Sequence, residues 1–125
     1  MGGEKTKEIM EFRKQKPIYL QIADRLMEQI LSGDPAEDER MPSVRDVATS
    51  MGVNPNTVMR TFEYLQGEEI IYNRRGVGYF VAADARKKIL AEQRREFLEE
   101  ELPLIKQRMK MLGIGIDELM LDDLV

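Results

Sequence analysis

The chain has 125 residues, 19 of them basic and 23 acidic, giving a net charge of −4, and 42% are hydrophobic. That length suits one domain or a small domain with an appendage, and that apolar content is enough for a core. Cysteine and histidine are both absent, which excludes disulfides, thiol chemistry and the usual zinc sites; the acidic balance alone argues mildly against a nucleic-acid partner.

No apolar run approaches the roughly 18 residues of a membrane span. The opening Met-Gly-Gly-Glu-Lys-Thr-Lys has no apolar signal core, so the expected location is cytoplasmic, with no membrane partner. Residues 1–15 are polar and read as a flexible segment. A helix of about 15 residues should then follow Lys16-Pro17. Ile18, Ile22, Leu26 and Ile30 recur at helical spacing, with Tyr19, Ala23 and Met27 widening the stripe, and Ser32-Gly33 stops it. The acidic stretch 34–40 reads as a loop.

Residues 42–60 carry the strongest signal. Ser43 is the expected N-cap of a helix over about 43–50, with Asp46 placed for a capping-box-like pair. Met51-Gly52-Val53 makes a turn. Asn54 is the expected N-cap of a further helix over about 55–67, and Pro55 stands at N1, where its missing N–H costs nothing. Two capped helices around a glycine turn are a helix-turn-helix, whose second helix can enter a DNA major groove. Val44, Val47, Ala48 and Met51 should be buried from the first helix, and Val58, Phe62 and Leu65 from the second. The opposite face of the second helix then presents Asn56, Thr57, Arg60 and Tyr64, suited to base-edge and phosphate contact.

Ile70-Ile71-Tyr72-Asn73 and Val77-Gly78-Tyr79-Phe80-Val81 are β-branched and aromatic runs separated by Arg74-Arg75-Gly76. This is a hairpin signal, with cations at its tip. The fold class expected is mainly α with a small β-hairpin: a winged helix-turn-helix DNA-binding domain over 16–82, followed by a short helical dimerisation region over 83–125. Although the chain is acidic overall, Arg45, Arg60, Arg74 and Arg75 fall on the elements that would face DNA.

From Asp84 the chain reads as helical to about Leu112, with a kink or break at Pro103. Gly113-Ile114-Gly115 breaks it, and residues 117–124 have the pattern of one more short helix. Ile89, Phe97, Leu98, Ile105 and Leu112 give this tail more apolar surface than a free amphipathic segment needs. A second copy of the chain is the simplest cover, and these five residues are the expected dimerisation positions. Glu99-Glu100-Glu101 and Asp122-Asp123 read as solvated faces, so no metal site, cofactor or catalytic residue is expected. The absence of a phosphate-binding glycine loop likewise argues against an enzyme.

Four motifs, in order, resemble the GntR family of bacterial transcription regulators: Pro17-Ile18-Tyr19-x-Gln21-Ile22, Met41-Pro42-Ser43-x-Arg45-Asp46-Val47-Ala48, Gly52-Val53-Asn54-Pro55-Asn56-Thr57-Val58-x-Arg60, and Arg74-Arg75-Gly76-x-Gly78-x-Phe80-Val81. The Asn-Pro-Asn-Thr-Val form and the short tail are similar to the YtrA-type subfamily, which carries a small helical dimerisation region. The resemblance implies DNA contact by Arg45 from the start of its helix, by Asn56, Thr57 and Arg60 from the next, and by Arg74, Arg75 and Gly76 at the wing tip near the minor groove. It implies a homodimer on a two-fold operator, with repression as the default sign and a small-molecule effector left open. The chain departs from the family at Asp38, near a place where the family usually has glycine, the residue better suited to left-handed backbone. The competing expectation is a winged helix that binds another protein and not DNA.

Overall fold

The computed structural model describes residues 16–119. They divide into two compact units: one spans Lys16–Glu92, and Gln93 begins the other. The expected segment 1–15, and residues 120–124 of the expected last helix, with Asp122 and Asp123 among them, lie outside the described residues.

In the first unit, helix α1 runs Ile18–Leu31. Its first free amides bond back to the Pro17 carbonyl, Leu20 N at 3.0 Å and Gln21 N at 3.1 Å, which supplies the start that no side chain caps. Ile22, Ala23, Leu26, Met27 and Ile30 are buried. Ile18, grouped with this stripe from its spacing, is exposed instead; it is the first residue of the helix and lies beyond the edge of the core.

Helix α2 runs Val44–Met51 and helix α3 runs Pro55–Gly67. Ser43 Oγ accepts from the Asp46 amide at 3.0 Å, and Asn54 Oδ1 accepts from the Asn56 amide at 2.8 Å. Both helices are therefore capped by the expected side chains. Gly52 ends α2 with φ 65°, the left-handed conformation that lets the chain reverse within so short a turn. Val58, Phe62 and Leu65 of α3 are fully buried, and so is Thr61. A hydroxyl in a core needs a partner. Thr61 Oγ1 donates to the Tyr19 carbonyl at 2.7 Å and lies 3.2 Å from that of Thr57, so it ties α3 to the start of α1.

The hairpin pairs β1, Ile71–Arg74, with β2, Gly78–Val81, in antiparallel register Ile71↔Val81, Tyr72↔Phe80, Asn73↔Tyr79 and Arg74↔Gly78. Part of the stretch read as a loop joins the other side of β2. Arg40 bridges Phe80, Met41 N donates to Tyr79 O at 2.7 Å, and Val81 N donates to Glu39 O at 2.9 Å. Asp38 starts this short segment at φ 65°. Aspartate is among the residues that enter this left-handed region most readily, so the position holds it without glycine.

Helix α4, Ala85–Glu96, corrects two expectations. The first compact unit does not end at Ala82. Ala85 and Ile89 are fully buried in the cluster that contains Phe62 and Leu26. Ile89, expected on a dimer surface, is a core residue of the first unit, since the first turns of α4 supply apolar cover that the three preceding helices lack. Polar contacts hold them there: an Arg86 guanidinium N–H donates to the Leu31 carbonyl, and Lys88 Nζ lies 3.2 Å from the Glu69 carbonyl.

In the second unit the chain stays helical through Pro103. A π-helical stretch, Phe97–Glu101, is followed by α5, Leu102–Leu112. A proline cannot bond to the carbonyl four residues before it, and its ring crowds that carbonyl. The expected interruption at Pro103 therefore takes the form of a widened π-helical turn just before it, and the chain stays helical on both sides. Gly113 ends α5 at φ 70°, with Ile114 N bonded to Met109 O at 2.9 Å. Phe97, Leu98, Ile105 and Leu112 are exposed, as are Met111, Ile114, Ile116 and Leu119.

Candidate nucleic-acid interface

Arg45 is the second residue of α2 and is exposed. Among the described residues it forms no ion pair, with Asp46 or any other acid. No described acid competes with a ligand for its charge. The turn at Gly52 leads to α3, whose first turn presents Asn56 exposed and Thr57 half-buried. Their amides bond to Asn54, at its side chain and its carbonyl respectively, so Asn54 serves as the cap.

Arg60 is exposed on the same helix, but its guanidinium is not free in solvent. Its Cζ lies 4.1 Å from the centroid of the Tyr19 ring, a cation–π distance. Tyr64 meets the same ring edge-on at 6.2 Å and packs against the core. Burial raises the Tyr64 phenol above its ordinary pKa, with Glu68 adding to the effect. Tyr64 thus supports Tyr19, which supports Arg60. Sequence spacing placed Tyr19 on the stripe of α1 and carried no sign of this role, because the contact joins residues far apart in the chain.

The wing is fixed to α3 where Tyr79 packs edge-on against Phe62, their centroids 5.0 Å apart. Its other face carries Tyr72 stacked on Phe80 at 5.7 Å, with Arg74 Cζ 5.0 Å from the Phe80 centroid. Val77 N closes the tip on Arg74 O at 2.9 Å, and Gly76 takes φ 78° in that turn. A side chain there would be strained, so glycine is required by the turn. Arg75 is exposed beside it.

Arg40 belongs to this face and was missed in the sequence, where it sat in an acidic stretch. A Cβ on Gly78 would come within 3.0 Å of the Arg40 Nε, so the absence of a side chain at Gly78 leaves room for that arginine. Only the pairing of residues 38–41 with β2 reveals the proximity. Arg40 also lines an open groove of about 660 Å³ with Arg25, Glu28 and Asp34 among its walls. Among the described residues no group of acidic side chains is arranged to hold a metal ion, and no helix is long and apolar enough to cross a membrane.

Arginines, a capped helix with a polar first turn and a basic wing tip together make a surface suited to DNA phosphates and base edges. Similarity to known proteins gives the family. Residues 18–81 match the model for bacterial regulatory proteins of the gntR family. The chain is 36% identical over 110 residues to the uncharacterized HTH-type transcriptional regulator YhcF of Bacillus subtilis, covering 88% of this chain and 89% of that protein. It is 33% identical over 102 residues to the HTH-type transcriptional repressor YtrA of the same organism, covering 82% and 72%. A solved transcriptional regulator assigned to the GntR family, from Bacteroides thetaiotaomicron, superposes with a TM-score of 0.71 at 48% identity, covering 82% of this chain and 89% of that one. These relatives are regulators and not enzymes. The chain belongs to the GntR family of DNA-binding, helix-turn-helix transcriptional regulators.

Proposed function

We propose that this regulator is a sequence-specific repressor that binds a two-fold operator as a homodimer in the cytoplasm. The observation that carries the reading is Arg45, exposed and without an ion pair among the described residues, beside the polar first turn of α3. Arg45, Asn56, Thr57 and Arg60 contact one major groove, while Arg74, Arg75 and the Gly76 backbone reach the flanking phosphates or minor groove. The exposed Phe97, Leu98, Ile105 and Leu112 support pairing through the second unit, since several large apolar side chains exposed on one short segment favour a covering partner. A repressor role is supported by the name of the YtrA relative.

Two copies related by a two-fold axis read half-sites about 10 bp apart, or a multiple of it. The test is selection of bound duplexes from a random pool, followed by footprinting and a salt titration of the selected site. A symmetric footprint and a steep loss of affinity with salt are expected. Protection of a single asymmetric half-site contradicts the dimeric arrangement. Binding to no duplex at any salt concentration would favour the protein-interaction module.

A further inference from the structure

The outward face of α3 carries one large apolar side chain. At 100° per residue, Asn56, Arg60 and Glu63 lie opposite the buried Val58, Thr61, Phe62 and Leu65, and Met59 lies at the edge of that outward face, about 60° from Phe62. Asn56, Arg60 and Glu63 are polar. Met59 is 40% exposed and belongs neither to the buried cluster nor to the side chains packed against it. The core therefore does not explain it.

Arg60 occupies one flank of this face, with its guanidinium against Tyr19. Met59 occupies the other flank, and Asn56 lies between them, one turn nearer the helix start. In a helix-turn-helix the beginning of the second helix meets base edges. A thioether cannot donate a hydrogen bond and accepts one only weakly. Such a group gains little from phosphates or from the polar atoms of guanine, cytosine or adenine. The major-groove feature that rewards an apolar contact is the C5 methyl of thymine. An unbranched, polarizable side chain is well able to cover it.

We propose that Met59 reads the C5 methyl of a thymine in each half-site and so sets the preference at that base pair. The proposal rests on the reading of α3 as the helix in the major groove.

The test uses the full-length protein and a duplex selected from a random pool. Each thymine is replaced in turn by uracil, which removes the methyl group and keeps every hydrogen-bonding atom. One position in each half-site should lose about three- to fivefold in affinity, the effect of one buried methyl-sized group. Met59→Ala should bind the all-thymine duplex more weakly and show no loss on uracil substitution at that position. Met59→Leu should keep the loss, and circular dichroism should show all three proteins equally folded. The proposal is overturned if the uracil profile of Met59→Ala matches that of the parent, or if the parent has no methyl-sensitive position. Failure of the parent to select any duplex overturns the DNA-reading role of α3 itself, a result distinct from selection without methyl sensitivity.

Discussion

The guanidinium carbon of Arg60 lies 4.1 Å from the centre of the Tyr19 ring, and that ring is met edge-on by Tyr64. Helix α1 thus orients a side chain of α3 before any ligand arrives. Arg60→Ala should cost about 1–3 kcal/mol at the operator and relax the preference at one base pair. Tyr19→Leu should cost less, about 0.5–1 kcal/mol, because the guanidinium no longer has a ring to rest on. It keeps the Tyr19 carbonyl that accepts from Thr61. Affinities of the two single variants and the double variant, arranged as a cycle, should be non-additive; additivity would mean that Tyr19 does not position Arg60.

The wing arginines should behave differently. Arg74→Ala with Arg75→Ala should weaken operator and random DNA about equally and flatten the salt slope, by about one unit for each phosphate that is no longer neutralised. Anisotropy titrations on both duplexes at several salt concentrations check this. Weakening confined to the operator would make the wing a base reader.

A cut after Ala82 removes Ala85 and Ile89, which are both fully buried, and should leave an unstable product. Ile89→Ala alone should cost about 2–5 kcal/mol in a denaturant titration. A cut after Glu92 keeps the first compact unit whole and should give a folded monomer by sedimentation. A dimer of this fragment would move the interface into the winged helix.

Asp38 holds φ 65°. Left-handed backbone costs most L-residues about 1–2 kcal/mol, and aspartate less. Asp38→Gly should therefore raise the melting temperature slightly, with no change in DNA affinity. A lower melting temperature would show that the side chain contributes more than its backbone strain removes.

The raised pKa of Tyr64 has a definite sign in stability. Below about pH 10 the phenol is neutral in both folded and unfolded states, and the contribution is intact. As pH rises further the unfolded chain loses the proton first, so stability falls through the folded-state value. Tyr64→Phe should lose stability less steeply above about pH 10 in urea titrations. An unchanged alkaline slope would assign the effect to other groups.

The caps at Ser43 and Asn54, the core positions Val47, Ala48, Val58, Phe62 and Leu65 and the hairpin were legible in the sequence, because each rests on local spacing, while Val44 and Met51, expected to be buried, are half-buried at the core edge. Three features were not. Ile89 looked like surface for a partner, since its apolar spacing is the same whether a core or a second copy covers it. Arg40 looked like a member of an acidic loop, because pairing across β2 leaves no local periodic trace. The Tyr19–Arg60 contact joins two helices, and each residue alone reads as an ordinary member of its own helix face. For the surface proposed to face DNA, the sequence supplied the candidate residues, while the structure added the rings against which Arg60 and Arg74 lie.

The arrangement of the wing also bears on how the protein behaves when crowded. Residues 39–41 cover one side of β2, which leaves β1 as the outer strand of the sheet among the described residues. Exposed strand edges invite pairing between molecules, and short, charged edges discourage it. Here the outer strand has only four residues and ends in Arg74, with Arg75 next in the chain. Two copies brought together in parallel register along this edge would set Arg74 against Arg74. A short strand with charge at its end thereby discourages parallel pairing between copies along this edge, apart from any part that Arg74 and Arg75 take in binding DNA.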